Sequence, residues 1–158
     1  MEPMTVRAAI QIGKPSEQVF EAIVAPDIMK NYFISKGTVR LEAGTTVYWQ
    51  FPEFPFDSPV RVQAVEPSRL VQFCWDASTG EELTVTITLT PRTDGSTVVR
   101  VTETGMADDE AGREWLVANT EGWANFLACL KAWMEYGVNL RRGAFDFMVD
   151  DQTADEPA

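Results

Sequence analysis

Past the first third of this chain the apolar residues change their period once. From Thr38 to Thr104 they alternate in short runs, and from about Arg113 to Leu140 they recur at three, four and seven residues. The helical stretch carries Leu116, Trp123, Phe126, Leu127, Leu130, Trp133 and Met134, which at about 100° per residue cover an arc of roughly 140°. That stripe is wider than a coiled-coil seam and suits a helix laid across a curved sheet. At about 1.5 Å per residue the helix would be roughly 40 Å long, enough to run the length of such a sheet. The clearest strand is Glu82–Thr90: Leu83, Val85, Ile87 and Leu89 fall on one face and Thr84, Thr86, Thr88 and Thr90 on the other.

The order of elements follows from punctuation. Thr5–Ile12 reads as the first strand, with Val6, Ala8, Ile10 and Ile12 inward. Pro15 opens a helix carrying Val19, Phe20 and Ile23, Pro26 breaks it, and Asp27–Phe33 forms a second short piece. Six strands then follow between Gly, Pro and Asp signals: Thr38–Leu41, Thr46–Phe51, Pro59–Val65, Leu70–Trp75, Glu82–Thr90 and Ser96–Thr104. Hairpins in sequence make an antiparallel meander, and Asp94-Gly95 provides the last turn. The expected class is α+β: seven strands, two short helices after the first strand, and one long closing helix. Residues 1–142 form a single domain, and 143–158 read as an acidic, flexible tail, although Phe145 and Phe147 leave room for docking.

A chain of 158 residues buries roughly 70% of its unfolded surface, so neither disulfide nor metal is needed for stability. The formal net charge of -11 argues against nucleic acid and anionic membranes as partners. No secretory leader or spanning apolar run is visible, which makes the cytoplasm the expected location. Cys74 and Cys129 are in no metal-binding or redox spacing and read as buried thiols. The chain has no histidine, which removes the Ser-His-Asp and Cys-His nucleophile pairs and His-ligated metals, and no cofactor is expected.

Candidate site residues lie where the sheet should meet the long helix. Trp75, Trp123 and Leu127 belong to that interface, as core or as the lining of a cavity. Two polar residues share the inward face. Asn119 falls inside the apolar arc of the helix, and Glu103 continues the face of Val99 and Val101, so alternation turns its carboxylate inward. A wet, satisfied place at the open end of the sheet is the other reading of both. Arg100, on the opposite face, reads as a solvent residue. The run Phe51-Pro52-Glu53-Phe54-Pro55-Phe56 is a stiff aromatic loop whose rings, Phe54 and Phe56 among them, must cover something: its own core, a cavity mouth or a partner subunit.

Several phrases spread from Thr5 to Leu140 resemble one family. They are Pro15-Ser16-Glu17-Gln18-Val19-Phe20 with Asn31-Tyr32-Phe33, Val65-Glu66-Pro67 with Leu70–Trp75, Thr102–Gly105, and Gly122-Trp123 with Leu127 and Leu130. Their order is similar to that of the START-like (SRPBCC) helix-grip proteins, in the Hsp90-activator-homology branch. The resemblance implies a seven-stranded sheet curled around the last helix, with a cavity that in many relatives holds an apolar or amphipathic molecule. A small apolar ligand is therefore the expected partner, and a homodimer stays open. Some relatives are polyketide cyclases or dehydratases, which here would need Glu103 as acid or base with Tyr32 or Tyr48 as donors. A chaperone-associated, stress-response interaction module is the third class. Eukaryotic Hsp90 activators carry an additional N-terminal domain, for which a first strand starting near Met1 leaves no room, so chaperone activation is not expected.

Overall fold

Hairpin follows hairpin along the chain because each alternating run ends at a turn signal before the next begins. The computed structural model describes residues 2–149. Its elements are β1 (Met4–Ile12), α1 (Ser16–Val24), α2 (Pro26–Met29), β2 (Lys36–Gly37), β3 (Thr46–Gln50), β4 (Ser58–Glu66), β5 (Leu70–Asp76), β6 (Glu82–Pro91), β7 (Thr97–Met106) and α3 (Glu110–Tyr136), followed by a short 3-10 turn, Asp146–Met148. The sheet order is β1-β7-β6-β5-β4-β3-β2 and all pairings are antiparallel. The register of β4 slips between Val62 and Ala64, a bulge that adds twist to the strand. This is the helix-grip architecture: one curved sheet holding one long helix.

The inward faces are those that alternation predicts. Leu83, Val85, Ile87 and Leu89 of β6 are buried and share one core with Trp123, Phe126, Leu127 and Leu130 of α3. The helix runs mainly along β1 and β7. Its start is held by Asp109, whose carboxylate accepts a 2.8 Å bond from the Gly112 amide. It ends at Tyr136, short of the Leu140 that its periodicity suggests. Gly137 takes a left-handed φ of 65°, and the Val138 amide closes back onto Ala132 O at 3.2 Å, so glycine chemistry overrides the apolar pattern that continues to Leu140.

The second short helix, expected over Asp27–Phe33, is Pro26–Met29 with turns after it, and the second strand differs as well. Thr38–Leu41 is not in the ladder; β2 is the pair Lys36–Gly37 instead. Beyond Thr38 the backbone leaves the sheet. The Thr38 hydroxyl accepts from the Tyr48 amide at 3.1 Å, and the Leu41 amide bonds Val24 O of α1 at 3.1 Å. Thr38 still meets β3, its amide donating to Tyr48 O at 3.2 Å, and the rest of the segment turns to the end of α1.

The break at Pro26 creates a demand met far along the chain. Proline has no amide hydrogen, so Ala22 O in α1 loses its helical donor four residues on. Tyr32 replaces it, donating its hydroxyl to Ala22 O at 2.5 Å from a fully buried position. Through this bond the turn after α2 is locked onto α1, and Phe33, next in sequence, is set against Phe126 with ring centroids 4.7 Å apart. The acidic segment expected beyond residue 142 is described only as far as Val149; the remainder lies outside the described residues.

Candidate functional site

Glu103 lies on the inward face of β7, the strand beside the edge strand β1. In register it pairs with Val6 on β1 and Val85 on β6, and Val85 pairs in turn with Phe73 on β5. It is the one polar side chain in that row, and it is 0% exposed. Its carboxylate is fully engaged: Oε1 accepts from Asn119 Nδ2 at 2.7 Å and Trp123 Nε1 at 3.0 Å, and Oε2 accepts from Trp75 Nε1 at 2.7 Å. Three donors from β5 and two turns of α3 therefore converge on one acid. Asn119 and Trp123 are four apart on the helix, which places both on the same face.

Those three donors turn their other surfaces to a recess of about 350 Å³. Its floor is aromatic: Tyr32, Phe33, Trp75, Trp123 and Phe126. The rings are interlocked, with Trp75 and Trp123 at 5.9 Å and 33°, and Trp123 and Phe126 at 5.1 Å and nearly perpendicular. Phe51 and Phe54 of the Pro-spaced loop form one wall, and Phe145 and Met148, beyond the end of α3, form another. Cys129 also lines it, and burial pushes its thiol up, so it presents a protonated, apolar group.

One ion pair joins the two walls. Arg141 donates from Nη1 to Glu53 Oε2 at 2.8 Å and from Nη2 to Oε1 at 2.5 Å, with its guanidinium 4.6 Å from the Phe145 ring centroid. The side chains are only 13% and 4% exposed. A two-point fork of this kind fixes geometry as well as charge. It ties the segment after α3 to the aromatic loop across the recess.

The sequence-derived residues divide accordingly. Trp75, Asn119, Trp123 and Phe54 border the recess, and Glu103 stands behind the first three. Leu127 does not border it; it is packed into the core beneath, because it lies on the helix face turned to the sheet centre. Phe56 is 59% exposed and lies tilted beside Phe54, with ring centroids 5.7 Å apart. The loop covers the mouth with Phe51 and Phe54 and turns its last ring to solvent. Neither tyrosine can serve Glu103 as a proton donor. The Tyr32 hydroxyl is committed to Ala22 O and burial raises its pKa far above the usual phenol range, and Tyr48 is an exposed residue of β3. Arg100 is exposed on the outer sheet face and bonds Thr90.

Sequence reasoning missed Glu53 and Arg141. They are separated by 88 positions, and a lone acid in a loop and a lone base past a helix carry no local signal of pairing. It also missed Phe33 and Phe126 as lining, since periodicity marks a residue as inward without saying whether protein or space lies opposite.

The model of the family described as activator of Hsp90 ATPase homolog 1-like protein matches residues 14–135. The chain belongs to that family. Protein SSP2350 from Staphylococcus saprophyticus is 30% identical to this family member, with a TM-score of 0.77 over 87% of this chain and 96% of that one. DynU16, a protein of the dynemicin biosynthetic locus, reaches the same TM-score at 22% identity, but the match covers only 49% of its length. The Aha1 dimer from Colwellia psychrerythraea is 19% identical, with a TM-score of 0.72 over 85% of this chain and 98% of that one. The last two likenesses speak for the fold alone. No curated protein sequence matches the chain. Among the described residues no helix is long and apolar enough to cross a membrane.

Proposed function

We propose that this member of the family is a binding protein, which holds a small apolar or amphipathic molecule in the recess between the aromatic loop, the end of α3 and the sheet. One observation carries the reading: a recess of about 350 Å³ whose floor is five interlocked aromatic side chains, with a few polar side chains around it, Asn119, Glu121, Asn125 and the Glu53–Arg141 fork. That volume is at the lower end of small-molecule sites, and an aromatic lining with a few placed polar groups is their usual chemistry. The recess reaches the surface at Phe54 and Glu121, so a guest has a way in. The enzymatic reading is the weaker one. Both Glu103 oxygens are already accepting, the acid does not border the recess, and the two tyrosines that would assist it are spent or distant. We place the protein in the cytoplasm, a compartment in which two buried reduced cysteines such as Cys74 and Cys129 persist.

The test is direct. Titration with decanol, followed by Trp fluorescence, should give a saturable change, because Trp75 and Trp123 form part of the floor. Ala118→Trp places a large ring in the recess from an exposed helix position and should abolish the change while leaving the fold intact. Native mass spectrometry of protein from its own host should retain a bound molecule. No saturation with decanol together with no retained molecule would remove the binding reading.

A further inference from the structure

Glu103 is a buried charge without a counter-charge. No ion pair among the described residues includes it, and its three partners are neutral N–H donors. Neutral donors satisfy the oxygens' hydrogen-bonding capacity and leave the negative charge in place. Burying such a charge is costly, and a fold keeps one where something offsets it or where its field is used. Around Glu103 the sheet side is filled by Val6, Val85 and Phe73, whereas the side of its three donors opens onto the recess. Once an apolar guest fills the recess and displaces water from its aromatic floor, the field of the carboxylate is little screened there.

The donors also change what the recess can hold. Trp75 and Trp123 each give their indole hydrogen to Glu103 and form part of the floor with their rings. An indole whose N–H is polarised by a carboxylate is richer in π density, and indole is already the best aromatic platform for a cation. The cation on the wall, Arg141, is consumed by Glu53 through two bonds, while Glu121 on the rim has no ion-pair partner among the described residues. An anionic guest would have to break the Arg141 fork and approach Glu103. A cationic guest would leave the fork intact and be attracted by Glu103.

We infer that the guest of this recess carries a positive charge: an alkyl- or arylammonium whose cation rests on the Trp75 and Trp123 rings with the Glu103 carboxylate behind them. The inference rests on the binding reading and goes beyond it by naming the charge class. A net charge of -11 adds general attraction for such molecules from solution.

Three probes with one tail decide it: decyltrimethylammonium, decanol and decanoate, each titrated below its micellar range. The ammonium should bind about five- to thirtyfold tighter than decanol, the span of a cation on a desolvated indole, and decanoate should bind weakest. The preference should persist at about 0.5 M salt, where attraction to exposed surface charge is screened and that of a buried acid is not. Glu103→Gln, checked for folding by thermal melt, should bring the ammonium to within about threefold of decanol. Equal binding of all three probes, or decanoate binding as tightly as the ammonium, overturns the cation assignment and leaves the binding reading standing. Failure of all three to bind, with no molecule retained by protein from its own host, removes the binding reading itself. A preference that vanishes in high salt assigns it to the surface and overturns the role of Glu103, and the unmodified protein alone decides this even if the variant does not fold.

Discussion

Arg141 and Glu53 meet as a two-point fork across 88 residues of chain, and both side chains are almost wholly removed from solvent. The pair fastens the segment after α3 to the loop after β3, so the recess has a mouth with two fixed sides. Removing the arginine alone strands a buried carboxylate. Arg141→Ala should therefore cost roughly 2–5 kcal/mol in denaturant unfolding. Adding Glu53→Gln should recover most of that loss, because no buried charge is then left unmatched. A double-mutant cycle with purely additive terms would mean the fork is not formed in solution.

Tyr32→Phe isolates a single hydrogen bond. The hydroxyl fills the vacancy that Pro26 leaves at Ala22 O, and both residues are fully buried. Its loss should cost about 1–3 kcal/mol, the desolvation penalty of one orphaned buried carbonyl. Equilibrium urea unfolding measures it, and a cost below about 0.5 kcal/mol would show that water reaches Ala22 O.

Two glycines should respond in opposite directions to alanine. At Gly105, φ is +141° and a Cβ would lie 2.4 Å from Glu82 O, a backbone atom with no freedom to retreat. Gly105→Ala should lower the melting temperature markedly and reduce soluble yield. Gly122 is inside α3 with open space where its Cβ would be, so Gly122→Ala should stabilise by about 0.5–1 kcal/mol through helix propensity. Since Gly122 borders the recess, the same change should weaken binding of bulky guests more than slim ones. Calorimetry on both variants checks the pair.

Glu135 links α3 to the turn after β1. Its carboxyl is held below the usual range, first by the Lys131 ammonium and then by the Gly13 amide at 3.1 Å. A depressed folded-state pKa contributes stability above the unfolded carboxylate range and loses it as pH falls through the folded value. Glu135→Gln should cost up to about 1 kcal/mol at pH 7. The gap to the unmodified protein should close progressively below about pH 4, as urea midpoints across pH will report. A gap that widens on acidification would reverse the sign of this linkage.

Much of the fold was legible because strand and helix periods are local properties. Leu83, Val85, Ile87 and Leu89 needed only each other to declare a face, and the same alternation carried Glu103 inward beside Val99 and Val101. Boundaries were less legible where a polar group found a distant partner. After Thr38, which still bonds Tyr48 of β3, the segment left the sheet for Val24 of α1, and a glycine cap cut α3 short at Tyr136.

By itself, then, the sequence determined the class of fold, the order of its elements and the inward face that holds Trp75, Glu103, Asn119 and Trp123. Tertiary structure alone decided that these four form one hydrogen-bonded centre, that Leu127 packs beneath it, and that Glu53 and Arg141 close the wall. The physical reason is one of range. Periodicity is written by neighbours three or four residues apart, whereas a recess and an ion pair depend on where the curl of a seven-stranded sheet brings residues tens of positions distant, and no local pattern encodes that distance.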